Sequence, residues 1–307
     1  MSLLFLGLGR MGAPMASRLG RTDLYLYDPA PATAELASAL GAQLVDDLRS
    51  LPIDLETVIL MLPTSAVVES VTIGSNGLFT RLRPGSLVID MSSSIPASTR
   101  RLAEAAKRQG IDFVDAPVSG GIAKAKTGEL AVMAGGTVEA VARARAVIDP
   151  MSAAFIHVGP SGAGHAAKAL NNLLSATNIA AMSEVLVAAT AWGIDPAVMV
   201  DVVNASTGRS QASEVKFPQQ VLTGHFDSGF ALALMVKDIG IALDVVDAAG
   251  IPASVLHSAA DVTTTAFDEL GKGRELDHTQ VAAWYENAGE VSFRPIHQQQ
   301  KKDHHHD

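Results

Sequence analysis

The sequence predicts a doubly wound, mostly parallel α/β domain joined to an all-α domain, and three observations carry that expectation. Short apolar runs alternate with helix-length segments up to residue 160. A glycine-rich turn follows the first run, and no strand-like run recurs beyond Gly162. At about 150 residues per domain, 307 residues allow two such units, and a hydrophobic fraction of 48% supplies a core for each.

Taken in order, residues 3–6, 24–27, 57–62, 87–91, 113–116, 130–134 and 154–158 read as strands, apolar on both faces as in a sheet covered by helices. Helices are predicted between them at 13–19, 32–40, 96–108 and 138–148. After Gly159-Pro160-Ser161-Gly162 the pattern changes. Residues 164–191 form one helical run without proline, and Asp195-Pro196 is an N-cap followed by proline at the first helical position. Asp277 with Gln280 resembles a capping box, and further helices are expected over 211–222, 230–249 and 253–270. The domains are therefore placed at 1–161 and 162–291, with 292–307 a polar, disordered tail. The long helix starts directly after the first domain, so its first turns are expected to line a cleft, where ligand sites form.

Composition narrows the function. The formal charge of −9 argues against nucleic acid or an anionic membrane surface as the main partner. With no cysteine, the chain has no disulfide, no Cys-ligated metal and no thiolate nucleophile. Residues 2–8 lack a basic n-region and read as a strand of a cytoplasmic protein rather than a signal peptide. The apolar stretch 166–192 is interrupted by Lys168, Asn171, Asn172, Asn178 and Glu184, and reads as a buried helix rather than a membrane span. His304, His305 and His306 are read as part of the solvated tail. No acidic or histidine cluster elsewhere has ligand spacing, and no metal is predicted.

Three groups of residues carry chemistry. Gly7-Leu8-Gly9-Arg10-Met11-Gly12 fits G-x-G-x-x-G between a strand and a helix, where tight-turn and close-approach glycines and a helix N-terminus receive a pyrophosphate. Asp28 ends the second strand 21 residues after Gly7, placed to accept the ribose hydroxyls of NAD and to repel the 2′-phosphate of NADP. No Arg stands at 29 or 30, so NAD is expected over NADP. Next, Asp115-Ala116-Pro117-Val118-Ser119-Gly120-Gly121 closes a strand, and its Ser119-Gly120-Gly121 turn is either an anion nest or an ordinary turn. Finally, Gly164, Lys168 and Asn172 recur at i, i+4 and i+8, so they share one helix face. Lys237 beside Asp238 is open to a structural or a functional reading, and His165, His225 and His257 read as bystanders.

Together with Met61-Leu62-Pro63-Thr64, Asp90-Met91-Ser92-Ser93, Gly162-Ala163-Gly164 and Lys168-Ala169-Leu170-Asn171-Asn172, these motifs resemble the β-hydroxyacid dehydrogenase family over nearly the whole chain. The resemblance implies a Rossmann domain with a helical domain, assembled as homodimers or homotetramers. It implies an NAD(P)-dependent enzyme that interconverts a small 3-hydroxycarboxylate and its semialdehyde or oxo acid. It assigns Lys168 as catalytic acid/base, and Asn172 with Ser119, Gly120 and Gly121 to the substrate. Gly7 to Gly12, Asp28, Leu62, Pro63, Thr64, Val67, Ser93 and Lys237 fall to the cofactor. Val67 stands where several relatives carry Asn. Ser206-Thr207-Gly208-Arg209 resembles the hydroxyisobutyrate branch, which brings Arg209 to the substrate, but Ser210-Gln211-Ala212 then diverges. Burial and the charge of Lys237 are expected to favour the neutral, basic form of Lys168. A non-catalytic NAD-binding sensor would not need Lys168 with Asn172, and an imine reductase usually replaces the lysine.

Overall fold

The computed structural model describes residues 2–20, 22–52, 55–271 and 275–295; the remainder of the polar tail, including His304 to His306, lies outside the described residues. Successive residues of strand β1 (Ser2–Leu6) feed two different cores, which is what a strand buried on both faces requires. Leu3 and Phe5 pack in a cluster with Ile59 and Ile89, and Leu4 and Leu6 in another with Val58, Leu60 and Val88. Each such side chain contributes about 1.5–3 kcal/mol by leaving water.

The chain forms two compact units, Met1–Ala169 and Leu170–Asp307. In the first, β1 is followed by α1 (Gly12–Ser17), β2 (Leu24–Tyr27), α2 (Thr33–Leu40), β3 (Gln43–Leu44), β4 (Leu55–Leu60), α3 (Ser65–Ile73), β5 (Leu87–Asp90) and α4 (Pro96–Arg108). Then come β6 (Asp112–Asp115), β7 (Val118–Ser119), α5 (Gly121–Thr127), β8 (Leu130–Gly135), α6 (Val138–Ile148) and β9 (Ser152–Gly159). The sheet order is β3-β2-β1-β4-β5-β6-β8-β7, with β9 on β8. All pairings from β3 to β6 are parallel, while β8 runs antiparallel to β6 and β7 and parallel to β9. The chain winds outward from β1 to β3, then returns to the other side of β1 as β4, so the direction of winding reverses between β1 and β4. Two strands of two residues, β3 and β7, escape the sequence reading because they are too short to show alternation.

Helix α7 (Ala163–Ala191) crosses from the first unit into the second, which continues with α8 (Pro196–Asn204), α9 (Leu232–Ala248), α10 (Ser254–Gly271) and α11 (Val281–Ala288). Asp195 caps α8 by accepting from Ala197 N–H at 2.8 Å, and Asp277 and Gln280 form both bonds of the expected capping box. Ala176, Ile179, Met235, Thr263, His278 and Val281 converge in the interior of this unit. One expectation is corrected. The segment predicted as an ordinary helix over 211–222 is wound as a π-helix, Ala212–Val221, around Pro218. Proline has no N–H and crowds the carbonyl four residues back, and the wider winding accommodates both.

Candidate functional site

Leu6, Leu60, Asp90 and Asp115 lie side by side at the carboxyl ends of β1, β4, β5 and β6. The motifs read from the sequence leave the sheet from this one row, on either side of the reversal in winding. The Gly7 turn, the segment Met61-Leu62-Pro63-Thr64, Met91-Ser92-Ser93 and the approach to Ser119 are thus brought together.

Around the glycine loop the contacts explain each residue type. Gly7 has φ +92°, and a Cβ there would lie 2.2 Å from the Met61 carbonyl oxygen; one on Gly12 would lie 1.9 Å from the Gly7 oxygen. A Cβ on Gly9 would meet nothing within 4 Å, and Gly9 and Arg10 are exposed. The protein's own packing therefore does not demand glycine at position 9, whereas close approach of a diphosphate does. Asp28 is half-buried and accepts from Leu8 N–H at 2.7 Å and from Ala30 N–H at 2.8 Å, which fixes its carboxylate beside the loop. Helix α1 is shorter than predicted, ending at Ser17 before the left-handed Gly20.

Across the row, Leu62 N–H donates to Ser92 Oγ at 2.9 Å. Asp90, wholly buried, accepts from Ser92 N–H at 3.0 Å and from the Ser94 hydroxyl at 3.1 Å, shaping the turn that carries Ser93. Pro63 and Thr64 are exposed; Thr64 caps α3 by accepting from the Val67 N–H at 3.3 Å, and Val67 is 37% exposed. Ser119 is half-buried in β7, and Gly120 and Gly121 both hold left-handed backbone at the start of α5.

The reading of His165 as a bystander is corrected by the structure. Asp115, wholly buried, accepts from Gly162 N–H at 2.8 Å and from His165 N–H at 3.0 Å, capping the first turn of α7 from another element. His165 is 2% exposed; its Nε2 donates to the Ser92 carbonyl at 2.9 Å and its Nδ1 lies 2.7 Å from Thr99 Oγ. The imidazole is also 3.9 Å from carboxylate oxygens of both Asp90 and Asp115. Burial raises the Asp115 pKa above the usual carboxylate range, against the charge of His165 and the two N–H donors. Gly164 is required by this approach, because a Cβ there would fall 2.8 Å from Asp115 atoms and 2.4 Å from the Met133 carbonyl oxygen. The helix that carries Lys168 is thus tied to the ends of β5 and β6. Among the described residues no other lysine or arginine is buried as Lys168 is, at 8% exposure.

Four residues on, Asn172 is also buried, and its Nδ2 donates to Asp238 Oδ2 at 2.7 Å. Lys237 Nζ stands 3.5 Å from the other carboxylate oxygen of Asp238, which is buried and accepts no hydrogen bond. Asn172, Asp238 and Lys237 therefore form one chain of contacts. Arg209 is not brought to it; its guanidinium is largely exposed and its Nε lies 3.5 Å from Glu214. The signals for Asp90 and Asp115 were present in the sequence as carboxylates ending apolar strands, but nothing in spacing pairs either with His165, 75 and 50 residues away.

Residues 2–159 match the family model for the NAD binding domain of 6-phosphogluconate dehydrogenase, and residues 162–285 match that for the NAD-binding region of NADP-dependent 3-hydroxyisobutyrate dehydrogenase. The chain is 34% identical over 287 residues to 2-(hydroxymethyl)glutarate dehydrogenase of Eubacterium barkeri, covering 93% of this chain and 95% of that one. It is 38% identical over 247 residues to 3-hydroxyisobutyrate dehydrogenase of Pseudomonas aeruginosa, covering 78% and 83%. Among solved structures, the 3-hydroxyisobutyrate dehydrogenase of Mycobacterium tuberculosis with L-serine matches at a TM-score of 0.84 and 34% identity, over 92% of this chain and 98% of that one. A dinucleotide loop at the carboxyl edge of a parallel sheet, a buried lysine on the helix that follows it, and likeness of this extent make the chain a member of the β-hydroxyacid dehydrogenase family.

Proposed function

We propose that the protein oxidises the hydroxyl of a small 3-hydroxycarboxylate, with Lys168 as general base and NAD as the preferred dinucleotide. Bound NAD(P) supplies the hydride acceptor. Gly7, Gly9 and the backbone of Leu8 to Gly12 hold its diphosphate, Asp28 its ribose, and Leu62, Pro63, Thr64, Val67, Ser93 and Lys237 the remainder. Space at Gly9 and the fixed Asp28 carboxylate support this fit. An anionic oxygen at Asp28 disfavours a 2′-phosphate, and the neighbouring Pro29 and Ala30 offer no cation to offset it.

The single observation that carries the reading is the burial of Lys168 on the turns of α7 anchored by Asp115 and His165. An amine withdrawn from water and held in register can take the hydroxyl proton as the hydride leaves, and return it in the reverse direction. Ser119 with the Gly120-Gly121 backbone receives the substrate carboxylate, and Asn172, oriented by Asp238, hydrogen-bonds the substrate. Lys168→Ala should lower kcat by at least about a hundredfold while NAD still binds. Activity within a few-fold of the unsubstituted protein, or lost cofactor affinity in a folded variant, assigns Lys168 another role.

A further inference from the structure

A cation is built into the same face of α7, one turn beyond Asn172. Ser175 follows Asn172 by three residues and Lys168 by seven, so the three side chains form one stripe, and about 10 Å of helix axis separates its ends. Lys216, in the π-helical segment, donates from Nζ to Ser175 Oγ at 3.0 Å and lies 2.8 Å from His278 Nε2. An ammonium only donates, so Nε2 is the acceptor and Nδ1 carries the imidazole proton, facing Ser228 Oγ at 3.1 Å, the Phe230 carbonyl at 3.2 Å and Asp277 Oδ1 at 3.4 Å.

Behind this imidazole, Asp277 accepts from Ser228 Oγ, Gly229 N–H and the N–H and hydroxyl of Thr279. Burial, helped by the charge of Lys216 and opposed by Asp277, holds the His278 pKa below its ordinary value. The imidazole therefore stays neutral beside Lys216. His278 is buried at 3% exposure, whereas Lys216 and Ser175 are only half-buried. The interior thus aims an ammonium, by way of two neutral acceptors, at the stripe that bears Lys168 and Asn172.

We propose that Lys216 receives a second carboxylate of the substrate, so that the preferred substrates are 3-hydroxy dicarboxylates. This rests on the reading of Lys168 and Asn172 as substrate-directed. A substrate reacting at Lys168 and lying along the stripe past Asn172 brings its far end to Ser175 and Lys216, where a carboxylate forms a charge-assisted hydrogen bond and an alkyl group forms none. In 2-(hydroxymethyl)glutarate the hydroxymethyl carbon gives a hydride to NAD(P)⁺ and its hydroxyl proton to Lys168, leaving the aldehyde; neither carboxylate changes.

The test compares 2-(hydroxymethyl)glutarate with 2-(hydroxymethyl)pentanoate, which replaces the far carboxylate by a methyl group, in the unsubstituted protein, Lys216→Gln and Lys216→Arg. Gln keeps a hydrogen-bonding end without the charge, and Arg keeps the charge. The expected kcat/KM ratio favours the dicarboxylate by tenfold or more, falls at least tenfold in Lys216→Gln, and is largely restored in Lys216→Arg. A preference for the pentanoate, or an equal loss on both substrates in Lys216→Gln, overturns the proposal and leaves Lys216 a structural group. If neither compound nor 3-hydroxyisobutyrate is oxidised by the unsubstituted protein, the 3-hydroxyacid reading itself fails, and this one with it.

Discussion

Within the glycine loop after β1, the fold imposes Gly7 and Gly12 but not Gly9, which the proposed function gives to the diphosphate, and substitution separates the two. Gly7→Ala and Gly12→Ala drive a methyl group into backbone oxygen and should lower the melting temperature whether or not cofactor is present. Gly9→Ala meets open space, so its melting temperature should stay within a degree or two while the Kd for NAD rises tenfold or more. Unimpaired NAD binding by a folded Gly9→Ala protein removes the diphosphate from this loop. At Asp28 the expected outcome is higher kcat/KM with NAD than with NADP, shifted toward NADP in the pair Asp28→Asn with Pro29→Arg. Equal use of both dinucleotides by the unsubstituted protein would falsify the assignment of Asp28. Asn is the better probe than Ala, because its amide oxygen still accepts one of the N–H groups of Leu8 and Ala30.

Helix α7 owes its first turn to a carboxylate 47 residues earlier in the chain. Asp115→Ala leaves the Gly162 and His165 N–H groups buried without their acceptor, and should cost about 2–4 kcal/mol in urea unfolding, with Asp115→Asn costing less. An Ala variant as stable as the unsubstituted protein shows that water replaces the cap. The capping-box turn before α11 carries a pH dependence. Because the folded-state pKa of His278 lies below about 6.5, the unfolded chain binds its proton first as pH falls. Its contribution to stability is therefore complete above about pH 6.5 and declines below it. Asp277 acts in the same sense at lower pH; burial opposes, but hydrogen bonds from His278 and Thr279 hold its carboxyl below the ordinary range. Asp115, with a raised pKa, acts oppositely, so the measurement is a difference. Between pH 7.5 and 5.5, His278→Gln should lose less melting temperature than the unsubstituted protein; equal losses sink the assignment.

At the scale of the molecule, a ligand that binds only the folded nucleotide unit stabilises it by mass action. NAD at a hundred times its Kd contributes about 2.7 kcal/mol, which should raise the calorimetric midpoint of the transition containing Met1–Ala169 by about 5–10 °C; an unmoved midpoint argues against a preformed site. The positions of the longer strands, the glycine turn, the place of Asp28 at the end of β2 and the shared helix face of Lys168 and Asn172 were legible in the sequence, because each rests on local rules: apolar runs, a turn that only glycine forms, and a helical repeat of 3.6 residues. The wider winding at Pro218 and the early end of α1 were not, since packing overrides propensity at element ends. Nor could spacing show that Asp115 caps α7, that His165 sits between two buried carboxylates, or that Lys216 reaches Ser175 across 41 residues. Those contacts depend on which strand ends lie side by side and which helices pack together, and a buried charge or polar group is satisfied by whatever the fold brings within about 3 Å, at any distance along the chain.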